Sequence, residues 1–351
     1  MSSVPVSRAR RDGLYWHERL VPVAVASSAM TVGADVPVTE TFEAHRREIT
    51  GYCYRMLGSS FDADDAVQET MVRAWRAGDT FEGRSSTRSW LYRIATNVCI
   101  DMLRARKRRA RPMELGPARP PIESSLDIVL PEGSWVSPVA DDRIIGVCDD
   151  PAEVATMRES IRLAFVAALQ HLPPRQRAAL VLCEVLRWQV SEVAELLDTS
   201  VAAINSALQR ARATMAEADP GPRPDVLDPS HSELLTRYVE AFESYDIERL
   251  VSLLHEDAVQ SMPPYAMWLR GRRDIGVWML GPGSACRGSR LVPTVANGSA
   301  AFAQYKPHPG GGRRPWALHV IEISRDRISG IHTFLEADRL FSSFGLPAEL
   351  S

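Results

Sequence analysis

The chain has 351 residues, a formal net charge of −3 and 45% hydrophobic residues, a composition typical of globular proteins with two or three domains. Its five cysteines are widely spread and form no Cys-x-x-Cys or Cys/His spacing, which excludes a disulfide framework and a structural zinc site. No run of about 18 apolar residues occurs, so the sequence excludes a transmembrane helix.

The amino-terminal part divides into an aperiodic stretch and a helical module. Residues 1–40 have little periodicity, and we predict that they form a disordered extension. Residues 41–111 carry 14 basic and 9 acidic residues, a net charge of +5. Within them, a first helix ends at Gly58, and a second helix over residues 64–76 starts among aspartates, which suit the positive end of a helix.

The stretch over residues 81–111 opens with a Gly/Ser loop and continues as a helix with an apolar face. It ends in six basic residues between Arg104 and Arg111. An apolar-faced helix that runs into a basic cluster is typical of a nucleic-acid-binding surface. The alternative interpretation is a solvated basic helix end.

Residues 112–150 contain six spread prolines and no helical pattern, and we predict a flexible, acidic, Pro-rich linker. Helical patterning returns over residues 151–217, first as one long helix up to Leu169. Two short helices separated by Asp198 and Thr199 then form a helix-turn-helix pattern, with Ser200 as the N-cap of the second. We expect three residues of that second helix to face the core: Val201, Ile204 and Leu208.

A second linker is predicted over residues 218–229, and the composition changes after it. Residues 230–345 begin with an amphipathic helix pair and continue as short strands, including a hairpin around Asn297-Gly298 and another around Arg325-Asp326. Helices followed by an antiparallel sheet predict an α+β domain.

Two of these modules, in this order, resemble a known family. FEAHRREITGYCYRMLGSSFDADDAVQETMVRAWR and FEGRSSTRSWLYRIATNVCIDMLR resemble the second region of group IV (extracytoplasmic-function) sigma-70 factors. LPPRQRAALVLCEVLRWQVSEVAELLDTSVAAINSALQRARATM resembles their fourth region, and residues 230–345 resemble the SnoaL-like branch of the NTF2-like fold, as in the actinobacterial sigma-G type. The resemblance implies a multi-domain protein: two all-α sigma domains, a region 2 helical bundle and a region 4 helix-turn-helix, followed by an α+β NTF2-like cone.

The resemblance also implies roles for residues of the region 2 module. One set would bind the clamp helices of the polymerase β′ subunit: Asp65, Gln68, Glu69 and Trp75. A second set would capture and hold the opened −10 element or its phosphates: Gly83, Arg84, Ser85, Ser86, Arg88, Trp90, Asn97, Arg104 and Arg108. Surface polar residues around a core tryptophan are the alternative for the first set, and Trp90 is also interpreted as a core residue.

In the region 4 module, the residues expected to meet the −35 element lie on the second helix of the helix-turn-helix. They are Ser200, Ala202, Ala203, Asn205, Ser206, Gln209, Arg210 and Arg212. Arginine and glutamine side chains can read guanine and adenine edges, while other side chains bind phosphate. Asp198 replaces the glycine common at this turn, and aspartate tolerates the left-handed backbone that the turn needs.

The carboxy-terminal domain offers candidate pocket residues: Asp257, Tyr265, Trp268, His319 and His332. Isomerase or cyclase chemistry in such a fold would need a carboxylate or histidine base in an apolar pocket, together with a hydrogen-bond donor. A histidine on a strand is more often a structural residue. We therefore expect a regulatory or ligand-sensing domain that packs on the sigma modules.

The resemblance, together with the two predicted DNA-binding surfaces, implies a cytoplasmic, non-enzymatic transcription initiation factor that recruits core RNA polymerase to promoters. The partners implied are core polymerase, through its β′ clamp helices and β flap, promoter DNA, and a possible small-molecule ligand of the C-terminal domain. No cofactor, metal or membrane is expected. Two alternatives stay open: a helix-turn-helix activator independent of polymerase, and a SnoaL-like isomerase or cyclase fused to a DNA-binding regulator.

Overall fold

A computed structural model describes residues 38–77, 86–104, 108–131, 133–146, 150–218 and 229–351. The predicted disorder of residues 1–40 concerns residues that lie almost wholly outside this part of the chain. The same holds for the predicted linker over 218–229, of which only the first and last residues are described.

Three helices form the first module: α1 (Val38–Leu57), α2 (Ser60–Ala77) and α3 (Thr87–Arg104). The turn after α1 uses Gly58 at φ +70°, and the hydroxyl of Ser59 accepts the Asp62 amide at 3.2 Å, so α2 begins four residues before the predicted start. The apolar face of α1 is fully buried, and a 2.8 Å hydrogen bond between Tyr52 Oη and Thr96 Oγ1 joins it to α3.

The prediction of a flexible linker over residues 112–150 was wrong for its described part, which is packed against the first helical module and the carboxy-terminal domain. It contains the single-turn helix α4 (Pro112–Leu115) and two 3₁₀ turns, at Glu123–Leu126 and Asp141–Arg143. The Ser137 amide donates to Gly58 O at 3.0 Å, while the Leu130 amide donates to Pro264 O at 2.8 Å. Prolines prevent regular secondary structure here, but the backbone is fixed through hydrogen bonds to other modules, which sequence composition does not reveal.

Five helices form the next module: α5 (Pro151–Glu159), α6 (Leu163–Leu169), α7 (Pro174–Leu180, extended by a π turn to Val185), α8 (Val190–Leu196) and α9 (Val201–Glu217). The prediction of one long helix up to Leu169 was wrong, because the helix breaks after Glu159. At this break the hydroxyl of Ser160 donates a hydrogen bond to Met157 O at 2.6 Å. It also accepts a hydrogen bond at 2.7 Å from the buried guanidinium of Arg55 on α1. A tertiary contact therefore sets this boundary.

The carboxy-terminal domain is the predicted α+β fold, with a sheet of six strands in the order β2-β1-β6-β5-β4-β3. Its elements are α10 (Ser232–Ser244), α11 (Ile247–Ser252), β1 (Leu254–Ser261), β2 (Trp268–Arg270), α12 (Arg272–Leu280), β3 (Arg290–Ala296), β4 (Ser299–Pro307), β5 (Arg313–Ser324), β6 (Arg327–Phe334) and α13 (Ala337–Ser343). All neighbouring strands are antiparallel except β1 and β6. Both predicted hairpins are confirmed, with positive φ at Asn297, Gly298, Arg325 and Asp326.

The two faces of this sheet belong to different hydrophobic cores. Because side chains alternate along a strand, Phe302 and Ile321 lie in the domain's own core beneath α10 and α12. Their neighbours on the other face, among them Ala303 and Val320, share one core with the helices of both preceding modules. The sheet is thus a structural wall of the helical modules as well as of its own domain.

Candidate nucleic-acid and polymerase interfaces

The outer face of α2 carries the side chains expected to meet a polymerase. Asp65 and Gln68 are exposed, and Glu69 is half-buried in an ion pair with Arg73 at 2.7 Å. Trp75, two turns further on, is 71% exposed. The alternative that it is a core tryptophan was wrong. The helix therefore presents hydrogen-bonding groups together with an exposed aromatic ring, a side-chain type that is enriched in protein interfaces.

The loop expected to capture a flipped base is described only at its end. Gly83, Arg84 and Ser85 lie outside the described residues, so the roles expected of them stay predictions. Ser86 is exposed and begins α3, because its hydroxyl accepts the Ser89 amide at 3.1 Å. It acts as a helix cap in this arrangement.

Arg88 is engaged within the protein. Its guanidinium donates to both carboxylate oxygens of Glu48, at 2.8–3.1 Å, and lies over the ring of Trp188 at 4.8 Å. Burial alone would raise the pKa of Glu48, but hydrogen bonds from His45 and Arg88 outweigh it and lower that pKa. In this conformation Arg88 is therefore held between the two helical modules.

The remaining residues of the expected −10 surface differ in exposure. Asn97 is exposed, and the Arg104 side chain is 74% exposed beside Asp101 at 3.1 Å. Trp90 is half-buried against the shared core, as its interpretation as a core residue predicted. Arg108 hydrogen-bonds His171 of the second helical module. Part of the surface is thus open, and part is occupied by contacts between modules.

The helix-turn-helix is formed by α8 and α9. The Ser200 hydroxyl accepts the Ala203 amide at 3.2 Å, and Asp198 takes the left-handed backbone with φ +49°, both as expected. Ile204 and Leu208 are buried. The prediction that Val201 faces the core was wrong, since it is 46% exposed in the first turn of α9.

The expected −35 residues form the outward face of α9. Five of them are exposed: Ala202, Ala203, Asn205, Gln209 and Arg210. Ser206 is half-buried, and its hydroxyl accepts a hydrogen bond from the Arg210 guanidinium at 2.6 Å. Arg212 pairs with Glu184 at 2.6 Å while staying 63% exposed. This face carries long polar side chains around a small-residue centre, which suits entry into a DNA groove.

The two helical modules contact each other directly. The rings of Tyr92 on α3 and Trp188 before α8 lie with their centroids 5.0 Å apart. The buried guanidinium of Arg177, on α7, donates to Met56 O at the end of α1 and to Gln170 Oε1 at 2.6 Å. The modules that would read two separate DNA elements are therefore closed onto one another.

Asn297, at the tip of the β3–β4 hairpin, lies where four segments of the chain meet. It is fully buried, and its Nδ2 donates to Tyr54 Oη at 2.6 Å and to Ile161 O at 2.5 Å. Its Oδ1 accepts the Val139 amide at 3.0 Å. One side chain thus joins the first helical module, the connecting segment, the second helical module and the sheet; the sequence indicated only a turn here.

Asp141 gives the same junction a dependence on pH. Its Oδ1 accepts the Gly298 amide at 2.8 Å, and its Oδ2 lies 3.9 Å from Arg158 Nε. Burial raises the pKa of Asp141 from 3.8 to about 6; the Gly298 amide and the Arg158 charge oppose this rise, and the charge of Asp142 adds to it. The closed arrangement therefore favours the protonated carboxyl.

We expect lower pH to stabilise the closed arrangement. Between pH 4 and 6 the closed form binds a proton that an opened Asp141 would release, so this stabilisation is present at low pH and is lost as the pH rises through 6. Going from pH 7.5 to 5.5 should favour closure about fourfold. Amide exchange at the β3–β4 turn would measure it; a pH effect that persists unchanged in Asp141→Asn would contradict this origin.

The comparison with known proteins matches each module. Models of sigma-70 region 2, sigma-70 region 4 and the SnoaL-like domain match residues 41–109, 162–215 and 235–331. The chain is 46% identical over 319 residues to the ECF RNA polymerase sigma factor SigG of Mycobacterium tuberculosis, covering 88% of this chain and 83% of that relative. The chain belongs to the ECF RNA polymerase sigma factors.

Two further matches concern SigJ of the same organism. The curated ECF RNA polymerase sigma factor SigJ is 32% identical over 217 residues, 62% of each protein. The crystal structure of Mycobacterium tuberculosis SigJ superposes with a TM-score of 0.57 at 24% identity, covering 88% of this chain and all of that one. The superposition supports the fold, helical sigma domains followed by an α+β domain. Family membership makes this sigma factor a non-enzymatic protein.

In this sigma factor the predicted C-terminal pocket residues do not all converge. Tyr265 and His319 line a cavity on the inner face of the sheet. Asp257 is 73% exposed beside Arg270, and Trp268 Nε1 donates to Gly116 O at 2.8 Å. His332 faces the opposite side of the sheet, where its Nδ1 lies 2.9 Å from Ser261 Oγ.

The prediction of one pocket containing all five residues was therefore wrong, because the alternation of side chains along β5 and β6 separates His319 from His332. Four polar residues that do line the cavity were missed: Gln260, Gln304, Lys306 and Thr333. They lie on three strands, β1, β4 and β6, and only the alternation of side chains along each strand could have assigned them to one face of the sheet.

The described part of the chain has neither a membrane-spanning helix nor a metal-binding cluster. No described helix is both long and apolar enough to cross a membrane. Among the same residues, no group of three or more histidine, cysteine or acidic side chains is arranged to hold a metal ion.

Proposed function

We propose that this sigma factor acts in the cytoplasm by binding core RNA polymerase and directing it to promoters. Residues 41–111 would act as region 2 on the −10 element, and residues 151–217 as region 4 on the −35 element. Residues 112–150 and 218–229 would connect the modules, and residues 230–345 would regulate activity. Polymerase carries out the chemistry, so no cofactor is needed.

The exposed face of α2 is the observation that carries polymerase binding. Asp65 and Gln68 lie on it with Trp75, whose ring is 71% exposed although tryptophan is a costly side chain to leave in water. Exposed aromatic rings with polar neighbours commonly become the centre of a protein interface. This surface is accessible while the DNA-binding modules are closed, so polymerase can make its first contact here.

Promoter binding requires the two modules to separate. The −35 and −10 elements lie about 25 base pairs apart, which is about 85 Å along B-DNA at about 3.4 Å per base pair. In the closed arrangement, by contrast, Tyr92 and Trp188 are in ring contact at 5.0 Å. The closed arrangement is therefore a resting state, and it also keeps Arg88 away from DNA.

The C-terminal domain supports this resting state. One face of its sheet completes the core of the helical modules, and Asn297 bonds to Tyr54, Val139 and Ile161. Deleting the domain would expose that core to water, so a point substitution at the junction is a cleaner probe of regulation than truncation.

Run-off transcription on fragmented host DNA, with purified core polymerase with or without this protein, tests the proposed function. Defined start sites that appear only with the protein, each preceded by a shared pair of −35 and −10 sequences, are expected. The proposal would be overturned if neither the wild-type protein nor a variant whose junction is opened by substitution at Asn297 produced new start sites.

Substitutions on α9 should separate promoter recognition from polymerase binding. Gln209→Ala and Arg210→Ala each remove a side chain expected to contact the −35 element, so each should lower transcription about 10-fold, since a lost bidentate base contact costs about 1–3 kcal/mol. Affinity for core polymerase should not change. Glu217→Ala, an exposed change at the far end of the same helix, is the control. Equal losses on promoters with and without a −35 element would contradict base reading.

A further inference from the structure

The C-terminal domain encloses a cavity of about 280 Å³ between its sheet and the helices α10 and α12. Aromatic side chains form much of its wall: Tyr238, Phe242, Tyr265, Trp278 and Trp316. The volume is just below the range of roughly 300–1,000 Å³ that is typical of small-molecule pockets. Its size and walls suit a flat apolar molecule of about two rings.

Two buried polar atoms on the wall have no hydrogen-bond partner among the described residues. They are Gln260 Oε1 and Thr333 Oγ1, on side chains of residues that are 6% and 5% exposed. An unsatisfied buried polar atom costs about 1–3 kcal/mol, so both gain from a partner within the cavity. A hydroxyl group fits both, since it can donate to the amide oxygen and accept from the threonine.

Other polar groups on the wall satisfy one another. His319 Nε2 lies 2.8 Å from Gln304 Oε1, and its Nδ1 lies 3.4 Å from Tyr238 Oη. Burial lowers the pKa of His319 to about 4, so the ring is neutral near pH 7. This trio therefore needs no ligand, and Gln260 and Thr333 remain as the polar groups open to one.

Among the described residues that line the cavity, Lys306 carries the one formal charge, and its side chain is half-buried. Its ammonium lies 3.5 Å from the ring centroid of Trp316, and no carboxylate of the described residues pairs with it. An anionic group of a ligand would supply that pairing. Thr333 on β6 is paired with His319 on β5, and His319 is paired with Phe302 on β4. Lys306 lies four residues after Phe302 on β4, so the two polar ends of the cavity are about 13 Å apart along the strand direction.

We propose that this cavity binds a small aromatic carboxylate with a hydroxyl at its opposite end. The hydroxyl would lie between Gln260 and Thr333, the rings against the aromatic wall, and the carboxylate at Lys306. The inference deepens the proposed function, because it assigns to the regulatory domain the class of ligand that would control it.

The connecting segment contributes Leu126 to the wall of the same cavity. It is held there by backbone hydrogen bonds from Ala266 to Ile128 O at 2.9 Å and from Leu130 to Pro264 O at 2.8 Å. The cavity is already formed with Leu126 in place, so a ligand adds contacts to the docked segment and does not displace it. A ligand that contacts Leu126 only in the closed form binds that form more tightly and therefore stabilises it.

Calorimetry on the full chain tests the ligand class with 6-hydroxy-2-naphthoate as probe. We expect one binding site, with affinity about 10-fold weaker for 2-naphthoate, which lacks the hydroxyl, and about 10-fold weaker for 2-naphthol, which lacks the carboxylate. Thr333→Val should reduce the preference for the hydroxyl, which then keeps Gln260 as its one partner, and Lys306→Met should remove the preference for the carboxylate. No saturable binding of the probe, or equal binding of all three compounds, would overturn the proposal.

The coupling to the connecting segment is tested by the affinity for core polymerase. Saturating probe should lower that affinity about 10-fold, and Leu126→Ala should abolish this effect. Ile122→Ala is the matched control, since Ile122 lies in the same segment, is 50% exposed and does not line the cavity. Binding of the probe with unchanged polymerase affinity would overturn the coupling alone. Transcription without probe reports separately on the sigma function.

Discussion

Replacing Asn297 with glycine should raise the affinity of this sigma factor for core polymerase, and with it transcription, by up to about a hundredfold. The substitution keeps the left-handed backbone of the turn, where φ is +55°, and removes three buried hydrogen bonds. At about 1 kcal/mol each, they contribute about 3 kcal/mol to the closed arrangement. Binding curves with labelled core polymerase measure the change.

A matched substitution exists in the other hairpin of the same sheet. Asp326 has φ +59° in the β5–β6 turn and is exposed, so Asp326→Gly makes a similar backbone change away from the helical modules. It should leave polymerase affinity unchanged. If Asn297→Gly left the affinity unchanged while the protein stayed folded, the junction would not restrain the sigma modules.

Replacing Trp75 with alanine should weaken core polymerase binding by at least about 30-fold. Buried aromatic anchors at the centre of interfaces contribute about 2 kcal/mol or more when truncated to alanine. Because the ring is 71% exposed in the free protein, the melting temperature should change little. Equilibrium binding and thermal unfolding together separate an interface effect from a folding effect.

Leu280→Ala is the control for this substitution, since Leu280 is 69% exposed on α12, in the C-terminal domain. It should affect neither binding nor transcription. Asp65→Arg, on the same face of α2 as Trp75, should weaken binding through charge reversal. Wild-type affinity in both α2 variants would contradict the assignment of this face to polymerase.

Local patterns were sufficient to predict most elements and their types. The capping hydroxyl of Ser200, the left-handed turn at Asp198 and the Asn297-Gly298 hairpin depend on residues close in sequence, and all three are confirmed. The hairpin turns also predicted antiparallel strand pairs after the helices, but not the parallel pairing of β1 with β6. These features follow from backbone preferences that act over a few residues.

Long-range contacts explain what the sequence did not show. The break after Glu159 depends on Arg55, about a hundred residues away, whose guanidinium bonds Ser160. The packed course of the Pro-rich segment depends on Gly58 and Pro264, in two other modules. Periodicity within one segment carries no information on such partners.

The candidate site was predictable in chemistry and only partly in geometry. The outward face of α9 followed from helical spacing, but the contacts of Arg88 with Glu48 and Trp188 did not, because these residues come from three separate segments: α3, α1 and the turn before α8. The pocket prediction failed for the same reason. It grouped His319 and His332 by residue type, whereas strand register places them on opposite faces.

The distance between α3 and α8 tests most directly whether polymerase separates the two DNA-binding modules. Spin labels on unnatural amino acids at Arg93 and Glu195, both exposed, would report it without modifying the native cysteines. The free protein should give one short distance. The complex with core polymerase and promoter should give a distance several tens of ångströms longer. An unchanged short distance in a transcribing complex would contradict the closed resting state.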